Sequence, residues 1–208
     1  MLHVENRRHE RRVGSIVIIS VAVLLFGGGL YLLSLVTAPV LLPYVEKSQT
    51  IDLAAIESPN VDKNRIIIPK IGVDIPYGEG EVALDHGAQW RYPERGNPED
   101  GGNFIIAAHR FALAATPQAT LVKSPFYHID KLVVGDEIVA DYNGKRYGYK
   151  VEKIYDVKPT QVEIEAPSDT AKLTLYTCTL GGSSDGRVVI EASPLGEVTI
   201  NPDASTTS

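Results

Sequence analysis

Cys178 is the sole cysteine of the 208-residue sequence, and its neighbours suggest how a thiol could be used. Residues 172–177 alternate polar and apolar side chains and are rich in Thr, Leu and Tyr, which predicts a strand. Residues 181–186 are Gly, Ser and Asp, typical of a loop, and residues 187–192 predict a second strand. If the two strands are neighbours, Cys178 and Arg187 point into the same cleft.

This pair of side chains suits nucleophilic chemistry. A thiolate is a good nucleophile, and nearby positive charge raises the thiolate fraction of a cysteine. A guanidinium can also stabilise the oxyanion that forms during acyl transfer. The alternative is a buried and chemically inert cysteine, which is common in protein cores.

The N-terminal region predicts export of the rest of the chain. Residues 1–12 contain four Arg and two Glu, and residues 13–36 carry no charge. An apolar run of this length can span a bilayer, and the preceding arginines predict a cytoplasmic N-terminus. A cleaved signal peptide is the alternative, but its apolar region is shorter. A lone thiol outside the membrane cannot form an internal disulfide, and it fits catalysis better than architecture.

The string Thr-Leu-Tyr-Thr-Cys at 174–178, followed by Arg-Val-Val-Ile at 187–190, resembles the TLxTC…R signature of the sortases, which are membrane-anchored cysteine transpeptidases of the cell surface. Sortases place a catalytic histidine at the end of an apolar strand, and His109 follows the run Asn-Phe-Ile-Ile-Ala-Ala at 103–108. The resemblance therefore implies His109, Cys178 and Arg187 as catalytic residues. It also implies that Thr177 assists substrate binding.

The frequent turn signals between short strand-like runs argue for a mainly β domain, and the resemblance implies a closed sortase β-barrel with short connecting helices. Asn143-Gly144 is the strongest hairpin signal. The predicted organisation is a cytoplasmic tail at 1–12, a transmembrane anchor at 13–36, a linker at 37–64, the catalytic barrel at 65–192 and a disordered tail at 193–208.

The resemblance implies cleavage of an LPxTG-like C-terminal sorting signal and transfer of the acyl group to an amine of a cell-wall precursor or a pilin. Exported proteins that carry such signals are the expected partners. Nucleic acid is not expected, because the net charge is −6. No cofactor is expected and no metal-ligand cluster is evident. Some sortases bind calcium near the segment corresponding to 158–172, but Glu163 and Glu165 alone do not define a site.

Other readings of the chain are open to test. His86 and His128 are expected to be structural, and Arg110 and Arg146 to be solvated. The Gly-x-Ser-x-Gly pattern at 182–186 lacks the following helix and the downstream histidine of a serine hydrolase. The functional alternatives are another exported cysteine acyl-transfer enzyme, such as an L,D-transpeptidase, or a non-catalytic wall-binding domain. The Ser-His-Gly-Cys string of L,D-transpeptidases is absent.

Overall fold

The computed structural model describes residues 3–45, 51–53 and 56–199. Within these residues nine strands form one sheet, in the order β3-β2-β1-β6-β7-β9-β8-β5-β4, and an additional pairing of β3 with β5 closes it into a barrel. This confirms the predicted mainly β fold. The strands are Arg65–Ile68 (β1), Val73–Glu79 (β2), Ala88–Arg91 (β3), Gly96–Asn97 (β4), Gly101–Ala108 (β5), Glu137–Tyr142 (β6), Lys145–Val157 (β7), Lys172–Thr179 (β8) and Gly182–Glu197 (β9).

Short helices connect the strands, as expected. Besides the long N-terminal helix, the described residues contain two short α-helices and four 3₁₀ turns. The α-helices are His3–Val45 (α1), Ala83–His86 (α2) and Pro117–Val122 (α3), and the 3₁₀ turns are Pro69–Ile71, Pro93–Arg95, Ile129–Lys131 and Val162–Glu165.

The barrel is filled by side chains that alternate along each strand. Tyr77, Trp90 and Phe104 are buried and meet edge to face, with ring centroids 5.4–6.2 Å apart, which is a favourable arrangement for aromatic rings. The Asn143-Gly144 hairpin between β6 and β7 is present, with φ of 48° and 74° at its two residues. Both values belong to the left-handed region that a two-residue hairpin of this type requires.

Two predicted boundaries need correction. Strand β9 continues to Glu197, where it pairs with Tyr147 of β7, so residues 193–197 belong to the barrel. Val198 donates its backbone N–H to the carbonyl of Arg146, and residues 200–208 of the predicted tail lie outside the described residues. Helix α1 continues through Pro39 to Val45, so the predicted linker does not begin at 37. Residues 46–50 and 54–55 of that linker are also outside the described part.

Helix α1 carries the predicted anchor. Its segment Ser15–Leu42 is 28 residues long and is apolar enough to cross a membrane. The side chains at the centre of this segment are exposed, with Leu24 and Leu25 more than two-thirds accessible, as expected of a helix that faces lipid rather than a protein core.

Candidate active site

Successive side chains on a strand point to opposite faces of the sheet, and the outward-facing side chains of β5, β8 and β9 form the floor of a cleft on the outside of the barrel. In β8, Leu173 and Leu175 point into the barrel core, whereas Tyr176 belongs to a second apolar cluster with Ile105 of β5 and Val189 of β9. Side chains two residues apart on a strand share a face. Cys178 is therefore on the same outer face as Tyr176, and it is half-buried.

Strand register brings the three predicted catalytic residues together. Cys178 lies directly opposite Arg187 in the antiparallel pair of β8 and β9. Strands β5 and β8 are parallel, with Ala107 paired to Tyr176, so the same register continued by two residues brings His109 level with Cys178. All three side chains line one cleft of ≈ 320 Å³. Cys178 is thus placed between the histidine on one side and the arginine on the other.

The β8–β9 connection is tighter than the predicted six-residue loop. Thr179 pairs with Gly182 while Cys178 pairs with Arg187, so residues 183–186 form a bulge on β9. The Arg187 guanidinium holds this bulge, since Nη1 donates to the carbonyls of Ser183 at 2.8 Å and Gly186 at 3.0 Å. Both described hydrogen bonds of Arg187 use Nη1. The remaining nitrogens of the guanidinium fork are thereby left for a ligand in the cleft.

Thr177 lines the same cleft, and the one described hydrogen bond of its side chain is to the protein backbone. Its side chain is 1% exposed, and its hydroxyl donates to the backbone carbonyl of Ala108 at 2.7 Å. Ala108 is the last residue of β5 and directly precedes His109. The hydroxyl therefore ties β8, which carries Cys178, to the end of β5 next to His109, which favours a positioning role.

The wall of the cleft is a partly buried polar network that the sequence did not reveal. Tyr176 donates to a carboxylate oxygen of Glu165 at 2.5 Å, and Arg91 pairs with the same oxygen at 3.1 Å. Arg95 donates to the backbone carbonyl of Glu165 at 2.5 Å and stacks 3.7 Å over the ring of Tyr92. These contacts hold the 3₁₀ turn of segment 158–172 beside Cys178.

Asn103 holds the same turn from below. Its Nδ2 donates to the carbonyls of Ile164 and Ala166 at 3.1 and 2.8 Å, and its Oδ1 accepts from the Thr174 hydroxyl at 2.6 Å. A sequence signal existed only for Tyr176, because strand alternation places it on the Cys178 face. Glu165 and Arg91 are 74 positions apart, and no local pattern pairs them.

Protonation supports this network. Burial, followed by the hydrogen bond to Glu165, raises the pKa of Tyr176 well above its ordinary value. The phenol therefore stays protonated and remains a donor to the Glu165 carboxylate. The pKa of Asp85 is lowered mainly by the hydrogen bond from Lys123 and to a smaller extent by nearby His109.

The described residues of segment 158–172 do not fit a calcium ion. Calcium takes six to eight oxygen ligands, whereas the carboxylate of Glu165 already faces a guanidinium and a phenol. Glu163 is exposed, and within the described residues no group of three His, Cys, Asp or Glu side chains could hold a metal ion. The Arg91–Glu165 pair orders this turn by direct contact.

The rival arginines are not solvated, contrary to expectation. Arg110 is 7% exposed and pairs with Asp130 at 2.8 Å. Arg146 is 5% exposed and pairs with the buried carboxylate of Asp141 at 2.6 Å. Neither residue lines the cleft. A second cavity of ≈ 370 Å³ lies between β2 and the segment after α3, and none of the predicted site residues lines it.

Comparison with known proteins points in one direction. The Sortase domain model matches residues 66–195 of the chain. Sortase SrtE1 of Streptomyces coelicolor is 31% identical over 140 residues, a match that covers 59% of this chain and 37% of that relative. The chain thus spans well under half the length of this relative.

Two solved structures resemble the barrel. A sortase D5 transpeptidase of Clostridium perfringens superimposes with a TM-score of 0.53 at 28% identity, covering 64% of this chain and 79% of that one. Sortase E1 of Streptomyces coelicolor, determined with a tripeptide in its active site, gives 0.53 at 26% identity and covers 65% and 88%. Neither the fold nor these relatives favour an L,D-transpeptidase or a non-catalytic wall-binding domain.

Proposed function

The chain belongs to the sortase family, and on that premise we propose that it is a cysteine transpeptidase that cleaves a C-terminal sorting signal of exported proteins and transfers the acyl group to an amine. The observation that carries the proposal is the register. Cys178 faces Arg187 across the β8–β9 pair, and His109 stands at the same level on the other side. A nucleophile, an oxyanion donor and a proton carrier thus share one cleft.

In the first half-reaction, the Cys178 thiolate attacks the carbonyl carbon of a Thr–Gly-type peptide bond. The negative charge moves to the carbonyl oxygen, where Arg187 donates hydrogen bonds from its free nitrogens. The tetrahedral intermediate then collapses, the C–N bond breaks, and His109 gives its proton to the departing amine. The product is a thioester on Cys178.

In the second half-reaction, the incoming amine attacks the thioester carbon while His109 accepts its proton. The new amide forms as the thiolate leaves, which restores both side chains. The acceptor is an amine of a cell-wall precursor or the lysine of a pilin. Thr177 contributes by holding the end of β5, and therefore His109, against the nucleophile strand.

The proposal includes a location. An apolar span within helix α1 anchors the protein in the membrane, with the Arg-rich N-terminus in the cytoplasm and the barrel outside. The length of the apolar segment and the exposure of its most apolar stretch support anchoring. The orientation follows from the arginines before the span, and protease added to spheroplasts tests it by digesting the barrel.

The decisive experiment offers the purified full chain a library of LPxTG-like peptides with amine acceptors and identifies products by mass. We expect a new amide between the peptide threonine and the acceptor, formed through an acyl-enzyme on Cys178. The Cys178→Ala variant should retain the thermal melt of the wild type and form no product. Product formation by a folded Cys178→Ala variant contradicts the proposal. So does the absence of product with every peptide in the library.

A further inference from the structure

Helix α1 does not leave the membrane as a free tether. The residues at positions 31, 35, 38, 39 and 42 recur at helical spacing and form one face. Leu35 and Ala38 on this face are 7% and 3% exposed, and Pro39 is also buried. Their neighbours Val36 and Val40 are exposed. This face packs against α3 and the segment that follows it.

Two prolines create a specific contact on this face. A helical carbonyl normally accepts from the N–H four residues later, but Pro43 has no N–H to give to the carbonyl of Pro39. His128 supplies the missing donor, with Nε2 lying 2.9 Å from that carbonyl. A buried backbone carbonyl without a partner is costly. The spacing of the prolines therefore prepares a site on α1 for one side chain of the barrel domain.

The contact lies at a defined depth. A span of about 20 residues crosses the hydrocarbon core, so a span that begins at Val13, after the last arginine, ends near Leu32. Tyr31 is then at the outer interface, where tyrosine is favoured. Its hydroxyl donates to the carbonyl of Ala115. The segment between β5 and α3 is thus held at the level of the membrane surface.

We propose that the catalytic domain is docked on its own transmembrane helix and rests on the outer leaflet through Leu113 and Val122. This inference rests on the proposed anchoring of α1. Both side chains are largely exposed, at 60% and 62%. Leu113 is two residues from the Tyr31 contact, and Val122 ends the helix that packs against α1. Scattered exposed apolar residues are ordinary. What favours lipid as the partner is that Leu113 lies beside the Tyr31–Ala115 contact and that Val122 is on the helix that packs against α1.

The same segment leads directly into the cleft. It begins at His109, whose carbonyl accepts from the Phe126 amide at 3.1 Å. The docked surface therefore fixes the height of the cleft above the bilayer. Val157 pairs with Arg187 and so lies at the cleft end of β7. The Asn143-Gly144 hairpin is at the other end of β7, and this end of the barrel therefore points away from the membrane.

The test uses the full chain in phosphatidylcholine–phosphatidylglycerol vesicles that contain a lipid with a nitroxide on its acyl chain. In a Cys178→Ala background, one cysteine is introduced at 24, 113, 122 or 61 and labelled with a nitrobenzoxadiazole fluorophore. Val61 is the matched control, because it is 71% exposed and packs beside Gly144 at the far end of the barrel. We expect strong quenching at 24, 113 and 122 and little at 61.

Removal of the histidine contact separates docking from anchoring. His128→Ala should lower quenching at 113 to the level at 61 and leave quenching at 24 unchanged, whereas His128→Gln retains a donor and should preserve quenching at 113. Thermal melts establish that both variants are folded. Equal quenching at 113 and 61 in the parent, with 24 quenched, overturns docking but not anchoring. Absence of quenching at 24 overturns the anchor itself. Unchanged quenching at 113 in His128→Ala also overturns the docking contact.

Discussion

Replacing Arg187 by lysine tests the proposed oxyanion donor while keeping the positive charge. In the structure Arg187 lines the cleft, and its Nη1 donates to the carbonyls of Ser183 and Gly186; we assign the other guanidinium nitrogens to the substrate oxygen. Lysine has a single nitrogen on a flexible stem. It can hold the bulge or reach the substrate oxygen, but the fixed geometry that does both is lost.

The expected magnitude follows from what is removed. Loss of one positioned oxyanion donor costs about 2.7–4 kcal/mol, or roughly 10²–10³ in rate. We therefore expect Arg187→Lys to reduce kcat by about that factor. If Arg187 served only to raise the thiolate fraction of Cys178, a lysine ammonium would provide similar positive charge and the loss would be small.

The assay measures kcat and KM of the purified full chain with its best peptide and a saturating amine. Arg65→Lys is the matched control, because Arg65 pairs with Asp74 and is level with Asp141 near the far end of the barrel. Arg110 is less suitable, since it is buried beside His109. If Arg187→Lys lowers the rate by less than about threefold, the loss is much smaller than the one expected for removal of an oxyanion donor, and the reasoning is refuted.

Three further substitutions test the surroundings of the site. Thr177→Val keeps the shape but leaves the Ala108 carbonyl without its donor, which should cost about 1–3 kcal/mol of unfolding free energy in a urea titration; no change would contradict the strand tie. Glu165→Gln removes the negative charge that Arg91 faces. Hydrogen bonds to charged groups are worth about 1.5–3 kcal/mol, so the Val162–Glu165 turn should be held less firmly beside the cleft and KM should rise while the barrel still folds. An unchanged KM would show that this turn does not contribute to substrate binding. Asp141→Asn leaves the buried Arg146 without its carboxylate partner and should destabilise the barrel by about 3–5 kcal/mol. Its control, Glu99→Gln, breaks the exposed pair with Lys145 and should leave the unfolding free energy almost unchanged, because exposed ion pairs contribute little to stability.

Local patterns in the sequence were sufficient for several of the strands and for the identity of the candidate nucleophile. The alternation in 172–177 and the apolar run at 103–108 correspond to β8 and β5, and Asn143-Gly144 marks the β6–β7 hairpin. These features depend on residues close together in the chain, where side-chain periodicity and turn preference act directly. The resemblance then supplied the histidine, which spacing alone could not connect with Cys178.

Helix termination and burial of charge were decided by tertiary contacts. A linker was expected from residue 37, yet α1 continues to Val45, and His128 contacts the carbonyl that Pro43 leaves without an N–H. Arg110 and Arg146 were expected in solvent, but Asp130 and Asp141 allow them to be buried. Each of these outcomes depends on a partner far away in the sequence.

Some features of the site were determined by local sequence, and others by tertiary contacts. The sequence by itself determined which side chains can do chemistry, because a lone cysteine and a following arginine on strand-forming runs are local facts. Only the tertiary structure decided that β5 is parallel to β8 in the register that brings His109 level with Cys178, and that Arg91 and Tyr176 converge on Glu165. Register and convergence arise from packing across the whole barrel, since a shift of one residue would turn every side chain of a strand to the other face.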